Sequence, residues 1–311
     1  MKLNRIIGLT PSKVCDPVST GFHELNILTG GFPVGQISIL GGRPGMGTTT
    51  VLISMMRNIG IRDRVPMAYL SMEHNEFEVV KRLTASMVGF RIDNPIVRKA
   101  LSLSLDVEDP IIEDWLMPFP KVEDREIPSV KDRVTFAKEG MKEAPVWIEH
   151  HVGMTIDEIV SMMERLRQEN NIRLLFIDSL QWIRMPESYA GQSQALMQLR
   201  EAAERLQVAV VLTTTLNCTV EFRGAYKRPR LADLPENMLK NIETYASLVM
   251  LLYRPEYYHI SCFEDNTPTQ DLAEIMVEKN NNGNRGKIRV RYGLSMAYYE
   301  MIEGDEKNEV S

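Results

Sequence analysis

Gly42-Arg43-Pro44-Gly45-Met46-Gly47-Thr48-Thr49 is the stretch of this 311-residue chain whose residue types and spacing suit phosphate chemistry. Residues 36–41 before it read as a buried strand, and residues 50–56 after it as the start of a helix. A glycine-rich turn between strand and helix aims backbone N–H groups and the positive end of the helix dipole at an anion. Gly42, Gly45 and Gly47 keep the turn open for close approach. The spacing matches G-x-x-x-x-G-K-[ST] at every fixed position but one, because Thr48 stands where that motif has lysine. The loop is therefore expected to hold phosphate without the side chain that places a positive charge on it.

Two carboxylates are placed to work with the loop. Residues 173–178 bring four apolar residues to Asp178. A buried strand ending in aspartate, downstream of a phosphate loop, has the form of a Walker B strand, whose carboxylate helps hold Mg²⁺. Residues 66–73 are a second apolar run, closing on Glu73. Ligands of open α/β sheets sit outside the carboxyl ends of the strands, so Glu73 is placed to reach the loop. Glu73 is equally suited to cap the helix expected at 76–87.

The elements that must position these groups alternate. Further strands are expected at 146–149, 208–213, 247–253, 272–278 and 287–292, and further helices at 155–170, capped by Thr155, and at 197–206. Such alternation argues for an α/β fold with a mainly parallel sheet and helices on both faces. Residues 272–292 add an antiparallel edge hairpin across an Asn/Gly-rich turn. One domain is expected over 19–302. Residues 1–18 form a leader, either a docking arm or a frayed end. Residues 106–128, acidic with prolines at 110, 118, 120 and 128, read as a surface excursion, and the charged stretch from 303 as a disordered tail.

Composition narrows the class. Hydrophobic content of 44% and charged content of 25% are ordinary for a globular protein. A net charge of −6 gives no global attraction for nucleic acid, so polyanion binding has to come from local loops. Residues 218–235 hold Arg223, Lys227, Arg228 and Arg230, which fit either contact with a phosphate backbone or a solvated charged loop. Cys15, Cys218 and Cys262 have no ligand spacing and suit a reducing compartment. No apolar run approaches the ~20 residues that span a membrane. A cytoplasmic protein is expected.

Several blocks together resemble the ATPase domain of DnaB-type replicative DNA helicases, a RecA-like fold. They are Ser-Thr-Gly-Phe-His-Glu-Leu at 19–25, Leu-Thr-Gly-Gly-Phe at 28–32, Arg-Pro-Gly-Met-Gly at 43–47 and Leu-Ser-Met-Glu at 70–73. Ile-Asp-Ser-Leu-Gln at 177–181, Leu-Asn at 216–217, Lys-Arg-Pro at 227–229 and Tyr-Arg-Pro-Glu at 253–256 follow in family order. The resemblance runs from about residue 19 to 302. It implies a hexameric ring, alone or with other helicase subunits, ATP with Mg²⁺ between subunits, and central loops that grip single-stranded DNA. By resemblance, Thr49 is the Mg²⁺-binding hydroxyl and Asp178 its Walker B partner. Glu73 is the glutamate that activates the attacking water, and the regions after Gln181 and Leu216 face DNA.

The departures from the family pattern fall on its chemistry. Thr48 replaces lysine, Thr215 a glutamine and Cys218 an arginine. In Lys279-Asn280-Asn281-Asn282-Gly283, Lys279 survives while Asn281 takes the place of the arginine that reaches a neighbouring subunit's phosphate. Such an arginine is worth about 10³–10⁵ in rate, roughly 4–7 kcal/mol of barrier. The resemblance therefore implies nucleotide and DNA binding with impaired hydrolysis. An active helicase with a substituted cation and a non-catalytic subunit of a helicase ring are the alternatives.

Overall fold

A computed structural model describes residues 15–89, 130–224, 227–293 and 297–302. Most of the expected leader, the 106–128 excursion and the tail from 303 lie outside the described residues. Val18 is tied to the fold, its N–H donating to Phe32 O at 2.9 Å and Phe32 N–H returning to Val18 O at 2.6 Å.

The sheet is built from β1 (Ile37–Gly42), β2 (Met67–Ser71), β3 (Val146–His150), β4 (Leu174–Asp178), β5 (Ala209–Thr215), β6 (Ala246–Tyr253), β7 (Leu272–Asn280), β8 (Gly286–Gly293) and β9 (Tyr298–Met301). Its order is β3-β2-β4-β5-β1-β6-β7-β8-β9. The strands from β3 to β6 are parallel, and β7, β8 and β9 add antiparallel pairings at one edge. The expected mainly parallel sheet with an antiparallel edge is thus the observed one. Every residue of β1, β2, β4 and β6 is buried, which is why these strands read as continuous apolar runs. β8 alternates exposed and buried positions along part of its length, as a strand with one wet face does.

Helices cover both faces. α2 (Thr48–Met56), α3 (Glu76–Val88) and α4 (Val130–Lys142) lie on the side where Tyr69, Phe176 and Val211 point. α5 (Ile156–Asn170), α6 (Tyr189–Leu206) and α7 (Leu239–Tyr245) lie on the side of Leu70, Ile177 and Leu212. Adjacent strand residues thus feed separate cores. The short α1 (His23–Thr29) packs Leu25 into the first. Among the described residues, no helix is long and apolar enough to cross a membrane.

Side-chain caps set the starts of α3, α5 and α6. Thr155 and Glu158 form the reciprocal cap that starts α5. α6 begins at Tyr189, earlier than the expected 197, because Ser188 Oγ accepts from Gly191 N–H and caps it there. α2 does not end at Met56 but widens into π-helical turns over Arg57–Arg62.

Gly60, in those turns, is where this helix crosses β2 and β3. A Cβ on Gly60 would fall 2.4 Å from Val146 Cγ2 and 3.0 Å from Met67 Sδ. Gly60→Ala is expected to cost about 1–3 kcal/mol through overpacking. A lowered midpoint in chemical denaturation checks this, and an unchanged midpoint would show that the crossing tolerates a methyl group.

Candidate active site

The carboxyl ends of β2, β4, β5 and β1 lie side by side in that order. Their pairings put Ser71 opposite Asp178 and Gly42 opposite Thr215. The loop 42–49 leaves β1 at this edge and enters α2 through Gly45 at φ 80° and Gly47 at φ 94°. Both are conformations that suit glycine. A Cβ on Gly42 would lie 2.6 Å from Thr48 Cγ2, so the first turn also needs its glycine. Gly47 caps α2 without a side-chain hydrogen bond, which leaves the first N–H groups of the helix to serve an anion.

The loop is held by its carbonyls. Arg254 Nη1 donates to Gly45 O at 2.7 Å, and the Tyr299 hydroxyl donates to Met46 O at 2.6 Å. Tyr299 is fully buried, and its N–H also donates to Ser54 Oγ of α2 at 2.6 Å. Strand β9 and the end of β6 therefore fasten the loop, whose residues also line a cavity.

Asp178 stands at the floor of that cavity, 3% exposed. Its Oδ2 accepts from Thr49 Oγ1 at 2.8 Å and from the Tyr69 hydroxyl at 2.7 Å, and its Oδ1 accepts from Thr213 Oγ1 at 2.5 Å. Burial, and then the Asp178 carboxylate, push the Tyr69 phenol well above its ordinary pKa, so it remains a donor. A threonine hydroxyl and a carboxylate in contact at a phosphate loop are hard oxygen donors, the ligand type that Mg²⁺ takes.

Glu73 lies two residues past the end of β2, exposed, on the wall of the same cavity. The capping role falls to Asn75 instead, whose Oδ1 accepts from Glu78 N–H at 2.9 Å at the start of α3. The cavity encloses about 540 Å³. Arg82, Gln181 and Thr213 to Thr215 complete its walls with the loop, Glu73 and Asp178.

The family model described as DnaB-like helicase C terminal domain matches residues 17–301. The chain belongs to this DnaB-like helicase family. The replicative DNA helicase DnaB of Haemophilus influenzae is 29% identical over 290 residues, covering 92% of this chain and 55% of that protein. The replicative DNA helicase DnaC of Bacillus subtilis is 26% identical over 280 residues, covering 88% of this chain and 54% of the relative. The chain thus spans about half the length of the curated relatives it matches. Among solved structures, one described as an ATPase domain superposes with a TM-score of 0.74 at 22% identity, over 96% of both chains. A DnaB-like replicative helicase, described with its interactions with primase, superposes with a TM-score of 0.73 at 22% identity, over 97% of this chain and 66% of that one. The fold is the RecA-like fold of DnaB-type ATPase domains.

Within this DnaB-like domain Lys279 is not brought to the cavity. It lies near the end of β7, and its Nζ donates to Glu243 O at 2.5 Å and Ala246 O at 2.6 Å. Ala246 pairs with Ile37, at the start of β1, whereas the loop leaves β1 at its other end. At ~3.3 Å per residue these edges are about 17 Å apart. Burial lowers the pKa of the ammonium group, with Glu243 opposing.

The basic residues of 218–235 are also not a free patch. Arg228 is buried, donating to both oxygens of Glu274 at 2.7 and 3.1 Å and pairing with Glu264. Glu274 is itself fully buried, so this arginine is committed to the fold, and the expectation of a backbone contact from it is corrected. Arg223 pairs with Asp233, and Lys227 donates to Glu221 O at 2.5 Å. Arg230 is exposed at the start of the short turn Leu231–Asp233. Phe222, 82% exposed, stands on the same loop.

Sequence reasoning passed over Tyr69, Thr213 and Arg82. Each sits inside an apolar strand or helix pattern, and strand register alone joins the first two to Asp178. Thr213→Val keeps the shape and removes one of the three hydroxyl donors. It is expected to destabilise the domain by about 1–3 kcal/mol, the cost of an under-satisfied buried group. Denaturant titration checks this, and a neutral effect would mean that Asp178 does not depend on the Thr213 hydrogen bond.

Proposed function

We propose that this domain binds a nucleoside triphosphate with Mg²⁺ at the 42–49 loop, engages single-stranded DNA, and hydrolyses the nucleotide poorly. The observation that carries this reading is the Thr49 Oγ1–Asp178 Oδ2 contact of 2.8 Å beneath a loop whose lysine position is Thr48. The anion cradle is made of backbone N–H groups at a helix start, which do not depend on the side chain at 48. Thr49 and Asp178 would hold Mg²⁺, which supplies charge neutralisation at the β- and γ-phosphate oxygens when bound. Glu73 would accept the proton of the attacking water. The missing lysine and the asparagine at 281 both remove positive charge that the transition state needs.

The placement of Lys279 supports a ring. A lysine on the edge opposite the loop cannot serve its own nucleotide, but it can serve the nucleotide of an adjacent copy or of a related helicase subunit after leaving Glu243 O and Ala246 O. DNA contact falls to Arg223, Lys227 and Arg230, while Arg228 holds the loop in shape.

Calorimetric titration with ADP and a non-hydrolysable ATP analogue, with and without Mg²⁺, tests the binding. Heat with the analogue plus Mg²⁺ is expected, and none under any condition would overturn the reading. Thr48→Lys with Asn281→Arg is expected to raise ATP turnover far above wild type and above either single change. Wild-type turnover equal to that of the double variant would refute impaired hydrolysis.

Alanine at Arg223, Lys227 and Arg230 together is expected to weaken single-stranded DNA binding and flatten its dependence on salt. Removing one phosphate neutralisation should reduce the log–log slope by about 0.7. An unchanged slope would place the DNA contacts elsewhere.

A further inference from the structure

Strand β9, the last of the sheet, reaches back to the loop that follows the first strand. Its Tyr299 is fully buried and touches that loop and the helix behind it at two points. The hydroxyl donates to Met46 O at 2.6 Å, within the loop. The N–H donates to Ser54 Oγ at 2.6 Å, two turns into α2, and Ser54 Oγ donates in turn to Thr50 O at 3.0 Å. One residue thus braces both the loop and the helix that leaves it. The Tyr292 ring of β8 packs against the Tyr299 ring with centroids 5.8 Å apart. Burial raises the pKa of the Tyr299 phenol, with Arg254 opposing, so the group stays protonated and a donor.

The hydroxyl acts on a single peptide unit. The peptide joining Met46 to Gly47 is trans and planar, so its N–H points opposite to its C=O. A donor seated on Met46 O therefore fixes the direction of the Gly47 N–H, which points away from Tyr299. Gly47 lines the cavity, and among the described residues its N–H donates to no backbone or side-chain acceptor. The amide before it is already committed, because Met46 N–H donates to Arg43 O at 3.1 Å. Gly47 has no side chain whose packing would hold the unit, so its orientation has to come from hydrogen bonds. A lysine at 48 would draw phosphate by charge whatever the direction of this amide. With Thr48 in that place, the direction of the amide carries more of the binding.

We propose that Tyr299 is a positioning residue whose hydroxyl sets the affinity of the loop for phosphate by aiming the Gly47 N–H. This rests on the nucleotide-binding reading above. The antiparallel edge of the sheet then contributes to a site at its parallel centre without touching the ligand.

The test is calorimetric titration of the whole chain with ADP and with a non-hydrolysable ATP analogue, both with Mg²⁺, read beside the denaturation midpoint without ligand. Tyr299→Phe keeps the ring and removes the hydroxyl. It is expected to lose about tenfold or more in affinity for both ligands, because each presents phosphate to the same amide and a hydrogen bond to a charged group is weakened. Ser54→Ala removes the other anchor of Tyr299 and leaves the hydroxyl on Met46 O. It is expected to lower the midpoint, as an unpaired buried N–H does, and to keep both affinities. In wild type carrying isotopically labelled glycine, the Gly47 amide resonance should shift when the analogue is added, a readout that stands even if Tyr299→Phe does not fold. Tyr299→Phe binding both ligands like wild type overturns the assignment. So does Ser54→Ala losing affinity to the same extent, which would reduce Tyr299 to a general support, or a Gly47 amide that stays unmoved while the analogue binds. Wild type binding neither ligand would instead remove the nucleotide reading itself, and this inference with it.

Discussion

A buried carboxylate must be surrounded by donors, and this requirement at Asp178 ties the centre of the domain together. The three hydroxyls that serve it come from β2 (Tyr69), β5 (Thr213) and the start of α2 (Thr49). Leaving any one acceptor site of such a group unmet costs about 1–3 kcal/mol. The relative heights of β2, β4 and β5 are therefore constrained, and so is the seat of the helix that carries the phosphate loop. The apolar packing on both faces supplies most of the stability, and the hydroxyl cluster adds a directional constraint to it.

The loop is further constrained from behind and from the side. Arg254 and Tyr299 occupy the carbonyls of Gly45 and Met46. Arg43 extends from the loop to Glu221 and to Leu216 O, and the carbonyl of Glu221 accepts from Lys227. A short polar chain thus runs from the phosphate loop to the basic segment 218–235. Arg228 anchors that segment to the antiparallel edge through Glu274, which Lys287 also approaches at 3.0 Å. The phosphate loop and the basic segment are thus joined through Arg43, Glu221 and Lys227.

Position 48 holds a neutral side chain, and Lys279 is turned to the carbonyls at the end of α7 and the start of β6. The oxygens of Thr49 and Asp178, by contrast, stand together. Under the proposed function, phosphate positioning would rest on backbone geometry and metal holding on Thr49 and Asp178, whereas rate would rest on cations around the transferring group. The two functions are separable for this reason. On the proposed reading, this chain would keep the residues of the first, while Thr48 and Asn281 are neutral where the second would call for cations.

By itself the sequence determined the loop, the two carboxylates at strand ends, the parallel α/β plan and the family. These depend on short-range patterns: glycine spacing, apolar runs buried on both faces, and caps such as Thr155 with Glu158. Only the tertiary structure decided which strands are neighbours. The order β2-β4-β5-β1 brings Tyr69, Asp178 and Thr213 into contact from three distant parts of the chain, and no local pattern encodes that register. It also decided what each charge does. Arg228 looked like part of a solvent-facing basic cluster and is a buried partner of Glu274, while Arg82, which no sequence pattern singled out, lines the phosphate cavity. A charge is assigned its role by burial and by the partners that distant segments bring to it, and neither can be read from the residues beside it.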